Sequence, residues 1–318
     1  MQVRYENMAE IDIKTLNERA RENPSALVSS AENRYHEKIA ELATLAVEHH
    51  DLRAILLAGP SGSGKTTTAN LLADAIKERG EDAIVLSLDD FYKSAQDPAY
   101  PRLECGERDF ESPNALHLDD VVATLEAITA GKPFLCPKYD FKTASRIENK
   151  MHAAMPDGCV IIEGLHALNP VISEKLPKDK ILKLFVSVST NVNNGEERII
   201  SGRKLRFIRR MVRDSIYRAA DANRTLEMWS GVIEGEDRYL YPYKHTADVA
   251  FDTFHDFELG VMKCRAEKLL EAVEKPDDFV RTVKRAIAAA EPLDDCYVPQ
   301  NSLIREFISG GIYHESYG

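Results

Sequence analysis

Hydrophobic positions fall into two kinds of spacing along this chain. In the first fifty residues Tyr35, Ile39, Leu42 and Ala46 recur at the spacing of one helical face within polar sequence. They predict a helical extension over residues 1–50, packed on the core or on a partner chain. From Arg53 the pattern changes. "RAILLAG" reads as a short buried strand, "KTTTANLLADAIKERG" as a helix closed by Gly80, and "DAIVLSL" as a second strand. "CVIIEGL" and "ILKLFVSV" are continuous apolar runs of the sort buried on both faces of a sheet. Strands alternating with helices predict an α/β fold, a doubly wound parallel sheet wrapped on both sides. "PFLCPKYDFKTASRIENKMHAAM" has two extended arms around a polar middle, which predicts a hairpin standing off the sheet. The expected divisions are the extension at 1–50, a main domain at 51–275, and a helical segment with a tail at 276–318.

Composition narrows the picture. At 318 residues and 44% hydrophobic content, a sizeable core is expected. No apolar run approaches the roughly eighteen residues of a membrane span, and "MQVRYENMAEIDIK" lacks the basic-then-apolar pattern of a signal peptide. A cytoplasmic protein is expected, with no membrane partner. Cys105, Cys136, Cys159, Cys264 and Cys296 are widely scattered, unlike zinc or redox motifs, and read as unpaired thiols, several of them in the core. The formal charge of -11 argues against a nucleic-acid partner, since a polyanion is repelled except where positive charge is concentrated.

Gly59-Pro60-Ser61-Gly62-Ser63-Gly64-Lys65-Thr66 fits G-x-x-x-x-G-K-[ST] and sits after a strand and before a helix, as a phosphate-binding loop requires. Glycines let the backbone N–H groups turn inward around a phosphate, and the helix N-terminus adds positive potential. Lys65 can reach the terminal phosphates, and Thr66 offers a hydroxyl to magnesium. Gly59, Ser61, Gly62, Ser63, Gly64, Lys65, Thr66 and Thr67 are the candidate nucleotide-binding residues.

The fate of the terminal phosphate depends on what else reaches it. No N-K-x-D segment of the guanine-reading kind follows a later strand, and "CVIIEGLH" ends in the single Glu163 rather than a carboxylate pair. Ligands of a doubly wound sheet lie beyond the carboxyl ends of its strands, so Asp89 and Asp90 of "LSLDDFY" should converge with Glu163 on the phosphates. A carboxylate there can take the proton of an attacking hydroxyl or help hold magnesium. Alternatively, Asp89 or Asp90 caps the next turn. In "GRKLRFIRRMVRD", Leu205, Ile208, Val212 and Ile216 mark an apolar face and leave Arg206, Arg209, Arg210 and Arg213 largely on others. Such a helix can close over the site as a lid and neutralise the transferring group; the alternatives are a solvated face or a nucleic-acid patch.

In that order, "GPSGSGKTT", "LSLDDFY", "RDFESPNALHLD", "PKYDFKTASR", "VIIEGLHAL" and "RRMVRD" resemble the phosphoribulokinase/uridine kinase family of P-loop kinases, over the stretch from Ala54 to about Leu270. "MWSGVIEGEDRYLYPYKHTADVAFDT" and "VPQNSLIREFISGG" look like bacterial uridine-kinase-like proteins, which often carry a further N-terminal region; here only a short helical extension stands in its place. The resemblance implies a P-loop NTPase fold with a small hairpin and a helical lid, and an enzyme using ATP and Mg2+ to phosphorylate a hydroxyl of a small molecule, uridine or cytidine by likeness. It implies Asp89 as base, with Lys65, Arg210 and Arg213 also catalytic, and Thr66, Glu163 and Asp89 at the metal. It places Tyr92, Glu111, Tyr139, Arg146, Arg210 and Arg218 about the substrate, and leaves open a homo-oligomer. Three positions depart from the family's pattern. Ala144 stands where uridine kinases have a base-reading histidine, Ala220 where they have a sugar-contacting arginine, and Glu111 where they have a shorter aspartate. A lost buried hydrogen bond costs about 1–3 kcal/mol, enough to lower selectivity about tenfold. A different nucleoside, sugar or polyol kinase, or a nucleotide-binding regulatory protein with little transfer activity, are the alternatives.

Overall fold

The computed structural model describes residues 4–5, 9–140, 143–155 and 158–313. Its centre is a six-stranded sheet in which every pairing is parallel. The strands of the chain are β1 (Arg4–Tyr5), β2 (Glu10–Asp12), β3 (Ala54–Ala58), β4 (Asp82–Ser87), β5 (Phe134–Asp140), β6 (Ser145–His152), β7 (Gly158–Glu163), β8 (Ile181–Ser187), β9 (Asn191–Asn194), β10 (Glu197–Ile200) and β11 (Val249–Asp252). The sheet runs β1-β11-β8-β3-β7-β4, so the chain leaves β3 and passes over β7's position to reach β4. Connections therefore depart to opposite sides of β3, which makes a crevice beyond its carboxyl end.

Period-two alternation divides the core. Ile55 and Leu57 of β3 enter one apolar cluster, while Ala54, Leu56 and Ala58 enter another on the opposite face. All five are fully buried, as a continuous apolar run predicts. The helices are α1 (Ile13–Glu22), α2 (Pro24–Glu48), α3 (Lys65–Lys77), α4 (Leu118–Thr129), α5 (Pro170–Ser173), α6 (Gly202–Tyr217), α7 (Ala222–Tyr239), α8 (Glu258–Glu271), α9 (Asp278–Ala289) and α10 (Arg305–Ile308). The first cluster takes in residues of α1, α2, α3, α6, α8, α9 and α10; the second packs α4 and α5.

Asn23 opens α2 by accepting the Ala26 N–H, with Pro24 in the first turn. Tyr35, Ile39, Leu42 and Ala46 are all buried, and α2 lies on α3. The expected helical face is therefore packed on this chain's own core. Periodicity missed two short strands in the same segment: β1 joins the edge of the main sheet, and β2 pairs with β9 in a small sheet with β10. Residues beyond Lys275 are also built into the core, through Val280, Val283, Leu303 and Phe307. The predicted hairpin is β5 against β6, antiparallel from Phe134↔His152 to Asp140↔Ser145 with a shift of register between Lys138 and Tyr139. Cys136 and Cys159 are buried and Cys105, Cys264 and Cys296 exposed, all unpaired.

The arginine helix departs most from expectation. Leu205, Ile208 and Val212 are buried, but so are Arg206 and Arg209, both fully, whereas Ile216 is exposed. Arg206 meets Glu236 of α7 through two contacts of 2.8 Å. Arg209 is bidentate to Glu258 of α8 and donates to the Thr253 carbonyl at 2.7 Å. A guanidinium paired with a carboxylate in this way can sit among apolar groups, so α6 is packed into the core on one side while Arg210 and Arg213 border the cavity on another. Removing one partner leaves an uncompensated buried charge. Glu258→Ala should therefore lose about 3–5 kcal/mol in urea unfolding; a loss under about 1 kcal/mol would show that the pair does not hold α6 in place.

Candidate functional site

The glycine loop leaves β3 and enters α3 with Gly64 in the left-handed region at φ +83°. A side chain there would strain the turn and meet the Leu303 side chain at 2.5 Å. Around the loop, its carbonyls are drawn outward. Arg206 donates to the Ser61 carbonyl at 2.8 Å, Arg209 to that of Gly62 at 3.2 Å, and the Thr253 hydroxyl to that of Ser63 at 2.8 Å. The Ser61 N–H is taken by Glu236 at 2.8 Å. These bonds fix the loop's backbone before any ligand arrives, as an anion-binding concavity needs.

The loop borders a cavity of about 410 Å³, within the usual size of a small-molecule site. Of the nucleotide candidates, Ser61, Gly62, Gly64, Lys65 and Thr66 line it. Gly59, Ser63 and Thr67 lie behind this lining, with Ser63 and Thr67 fully buried. Lys65 Nζ rests on the Pro60 carbonyl at 3.3 Å. Asp89, Tyr92, Glu111, Tyr139 and Glu163 line the same cavity, as do Arg210, Arg213 and Arg218. The strands β4 and β7 are neighbours in register at Ser87↔Glu163, which is why two segments far apart in sequence deliver their acids together.

Neither aspartate caps the turn after β4. Ser87 does, accepting the Asp89 N–H at 3.3 Å and donating its hydroxyl to Glu163 Oε1 at 2.6 Å. Asp90 borders the cavity but also anchors the hairpin, accepting the Tyr139 N–H at 3.1 Å and lying 3.3 Å from Lys138 Nζ. Arg146 departs from expectation: it binds Asp120 at 2.6 Å and does not line the cavity. Its strand is turned so that the side chain meets the start of α4.

Arg210 donates to the Ser61 hydroxyl at 2.9 Å and lies 3.2 Å from Asp214. Arg213 and Arg218 share that aspartate, at 3.0 and 3.6 Å. Arg213 also lies 3.8 Å from Glu306, and all three guanidinium groups line the cavity together with its acids. Arg213 first, and burial second, pull Arg218 down to about 10. Burial raises Asp89, with Lys65 and Arg218 opposing it. Burial, reinforced by Asp89, pushes Glu163 up to about 7, and burial pushes Glu111 up to about 7 against the pull of Arg210.

The other end of the cavity is aromatic, with Tyr92, Tyr100, Phe110 and Tyr139, and Tyr92 and Tyr139 have ring centroids 6.0 Å apart. Ala144 lines it with a left-handed φ of 50°. Ala220 does not line it; its N–H is held by the Asp214 carbonyl. Glu111 presses on α7 where Gly235 leaves room: a Cβ there would meet that of Glu111 at 2.2 Å. Sequence reasoning missed Glu236 and Glu306. Both sit in segments quoted for likeness, but no local pattern marks an acid that reaches a loop far away in sequence.

A fixed glycine loop after a central parallel strand, with acids and arginines converging beyond it, defines an α/β phosphate-binding protein of the P-loop class. The chain belongs to the phosphoribulokinase/uridine kinase family, whose pattern matches residues 54–259. It is similar to Uridine-cytidine kinase-like 1 of Mus musculus, 27% identical over 198 residues, covering 62% of this chain and 32% of that protein. It is also similar to a uridine kinase of Bacillus pumilus, 29% identical over 194 residues, covering 61% of this chain and 82% of that one. The match thus spans 32% to 40% of the length of the mouse protein and two Arabidopsis thaliana relatives. A solved chain described as a possible uridine kinase from Bacillus stearothermophilus overlaps with a TM-score of 0.45 at 21% identity, over 70% of this chain and 100% of that one.

Glu163 sets a pH dependence. A carboxyl raised from 4.5 to about 7 in the folded state contributes stability that is complete below 4.5 and lost as pH rises through about 7. Glu163→Gln should therefore gain ~1–3 kcal/mol on wild type between about pH 5 and about pH 8 in urea unfolding of the nucleotide-free protein. Parallel pH profiles for the two proteins would exclude a buried ionisation at Glu163.

Proposed function

We propose that this protein is an ATP-dependent, magnesium-requiring kinase that phosphorylates a hydroxyl of a small molecule, and that it works in the cytoplasm. The observation that carries this reading is the position of Asp89, in one cavity with the glycine loop at one end and an aromatic acceptor end at the other. A regulatory nucleotide-binder has no need of an acid between the two.

In this reading Asp89 accepts the proton of the acceptor hydroxyl. Burial raises its proton affinity against the pull of Lys65 and Arg218, and a higher proton affinity favours a general base. Lys65 is drawn from the Pro60 carbonyl to the terminal phosphates. Arg210 and Arg213 neutralise charge that grows on the transferring group, the largest lever in phosphoryl transfer. Thr66, Glu163 and Asp89 supply hydroxyl and carboxylate oxygens on the same cavity wall, the donor chemistry magnesium prefers. Among the described residues no three His, Cys, Asp or Glu side chains are grouped to hold a metal; magnesium carried by a nucleotide needs only one or two carboxylates beside the phosphates. When bound, the ion would offset phosphate charge.

Uridine or cytidine is the default acceptor, by likeness to the relatives. Tyr92 and Tyr139 offer faces to a planar or apolar group, and Glu111 can accept from hydroxyls once ionised. Ala144 favours a second reading: its methyl group cannot hydrogen-bond a base edge, so another nucleoside, a sugar or a polyol competes as acceptor.

The test is ADP release from purified protein given ATP, magnesium and a panel of nucleosides, sugars and polyols. One compound should stimulate release, and Asp89→Asn should abolish the stimulation. Tight nucleotide binding with no stimulation by any compound would favour the regulatory alternative. Arg210→Ala should slow turnover by about a hundredfold or more while nucleotide still binds, because its contact counts most in the transition state. A wild-type rate in that variant would remove Arg210 from the mechanism.

A further inference from the structure

The glycine loop ends on a helix whose cap residue, Gly64, has no side chain to satisfy the first N–H groups of α3. An anionic ligand ordinarily gains from that vacancy. Here a carboxylate from the other end of the chain has taken part of it. Glu306 Oε2 accepts from the Thr67 hydroxyl at 2.8 Å and from the Thr67 N–H at 3.4 Å. Its other oxygen lies 3.8 Å from Arg213 Nη1. The side chain is 6% exposed, borders the cavity, and stands among the groups assigned above to nucleotide phosphates.

The tail is built to deliver it. Leu303 lies directly on Gly64, Leu303, Ile304, Phe307 and Ile308 are all fully buried, and the Tyr313 hydroxyl donates to Asp74 of α3 at 2.7 Å. Such burial keeps α10 in place, so what can yield is the Glu306 side chain, which can swing from Thr67 towards Arg213.

We propose that Glu306 is a built-in competitor of the nucleotide: its carboxylate occupies the slot of a phosphate at the start of α3 and has to leave Thr67 before that phosphate can bind. The proposal rests on the cavity being a nucleotide site. Apparent affinity is then the intrinsic affinity reduced by the fraction of molecules in which the carboxylate has moved away. The tail thereby sets how much nucleotide is needed to fill the site, and anything that draws Glu306 off would activate binding without touching the loop.

Calorimetric titration with ADP in the presence of a chelator tests this on the full chain, with Glu306→Gln and Glu306→Ala beside wild type and circular dichroism to confirm folding. Both variants should bind metal-free ADP at least tenfold more tightly. Equal or weaker binding would overturn the proposal and make Glu306 a permanent helix cap. Weakening seen only when magnesium is added would also overturn it, by assigning the carboxylate to the metal. If neither wild type nor the variants bind ADP, the nucleotide reading of the cavity fails with it, whereas equal binding by all three sinks only the competition.

Discussion

The phosphate-binding loop owes its shape to two buried arginine–glutamate pairs. Arg206–Glu236 and Arg209–Glu258 are both out of water, and each uses a spare guanidinium donor on a loop carbonyl. A loop of glycine and serine is entropically costly to order, and its internal hydrogen bonds are few, from the Ser63 N–H and Lys65 Nζ to the Pro60 carbonyl. The ordering is supplied from outside, by α6, α7 and α8 acting as one frame. Arg210 and Arg213 then emerge from the same helix at a fixed height over the loop, so the clamp on the backbone and the charge facing the cavity share a single support.

That arrangement explains what could be read along the chain and what could not. The β3–loop–α3 unit was legible because strand, glycines and helix are contiguous and each has a local signature. Asp89 and Glu163 were legible as well, since strand ends of a parallel sheet gather at one edge whatever the strand order. The roles within the arginine helix were not. Hydrophobic spacing assigned all four arginines to polar faces, but Arg206 and Arg209 are neutralised by acids on later helices, and no local pattern reports a partner thirty or more positions away. Arg146 is paired with Asp120 rather than lining the cavity, a contact that no local pattern reports either. The family pattern supplied Tyr92 and Tyr139, which line one cavity although they lie in separate segments.

Residues before Arg53 and after Lys275 belong to the same physical unit as the sheet. Tyr35 of α2 shares a 2.6 Å hydrogen bond with Thr68, whose hydroxyl also reaches the Gly64 carbonyl at 2.6 Å. The helix that starts at the glycine loop is thus held on one side by the beginning of the chain and on the other by its tail. Its first turn is a meeting point of both, through Tyr35 on Thr68 and Glu306 on Thr67.

Gly235 and Glu111 carry a consequence of another kind. The glutamate fits only because α7 has no side chain at that point, so the two positions form a single volume divided between two segments. A shorter acid at 111 would not free the position, because a side chain at 235 would first meet the Cβ of residue 111, an atom every residue but glycine carries. Any side chain at 235 therefore requires the backbone that carries Glu111 to move away from α7, whichever acid stands there.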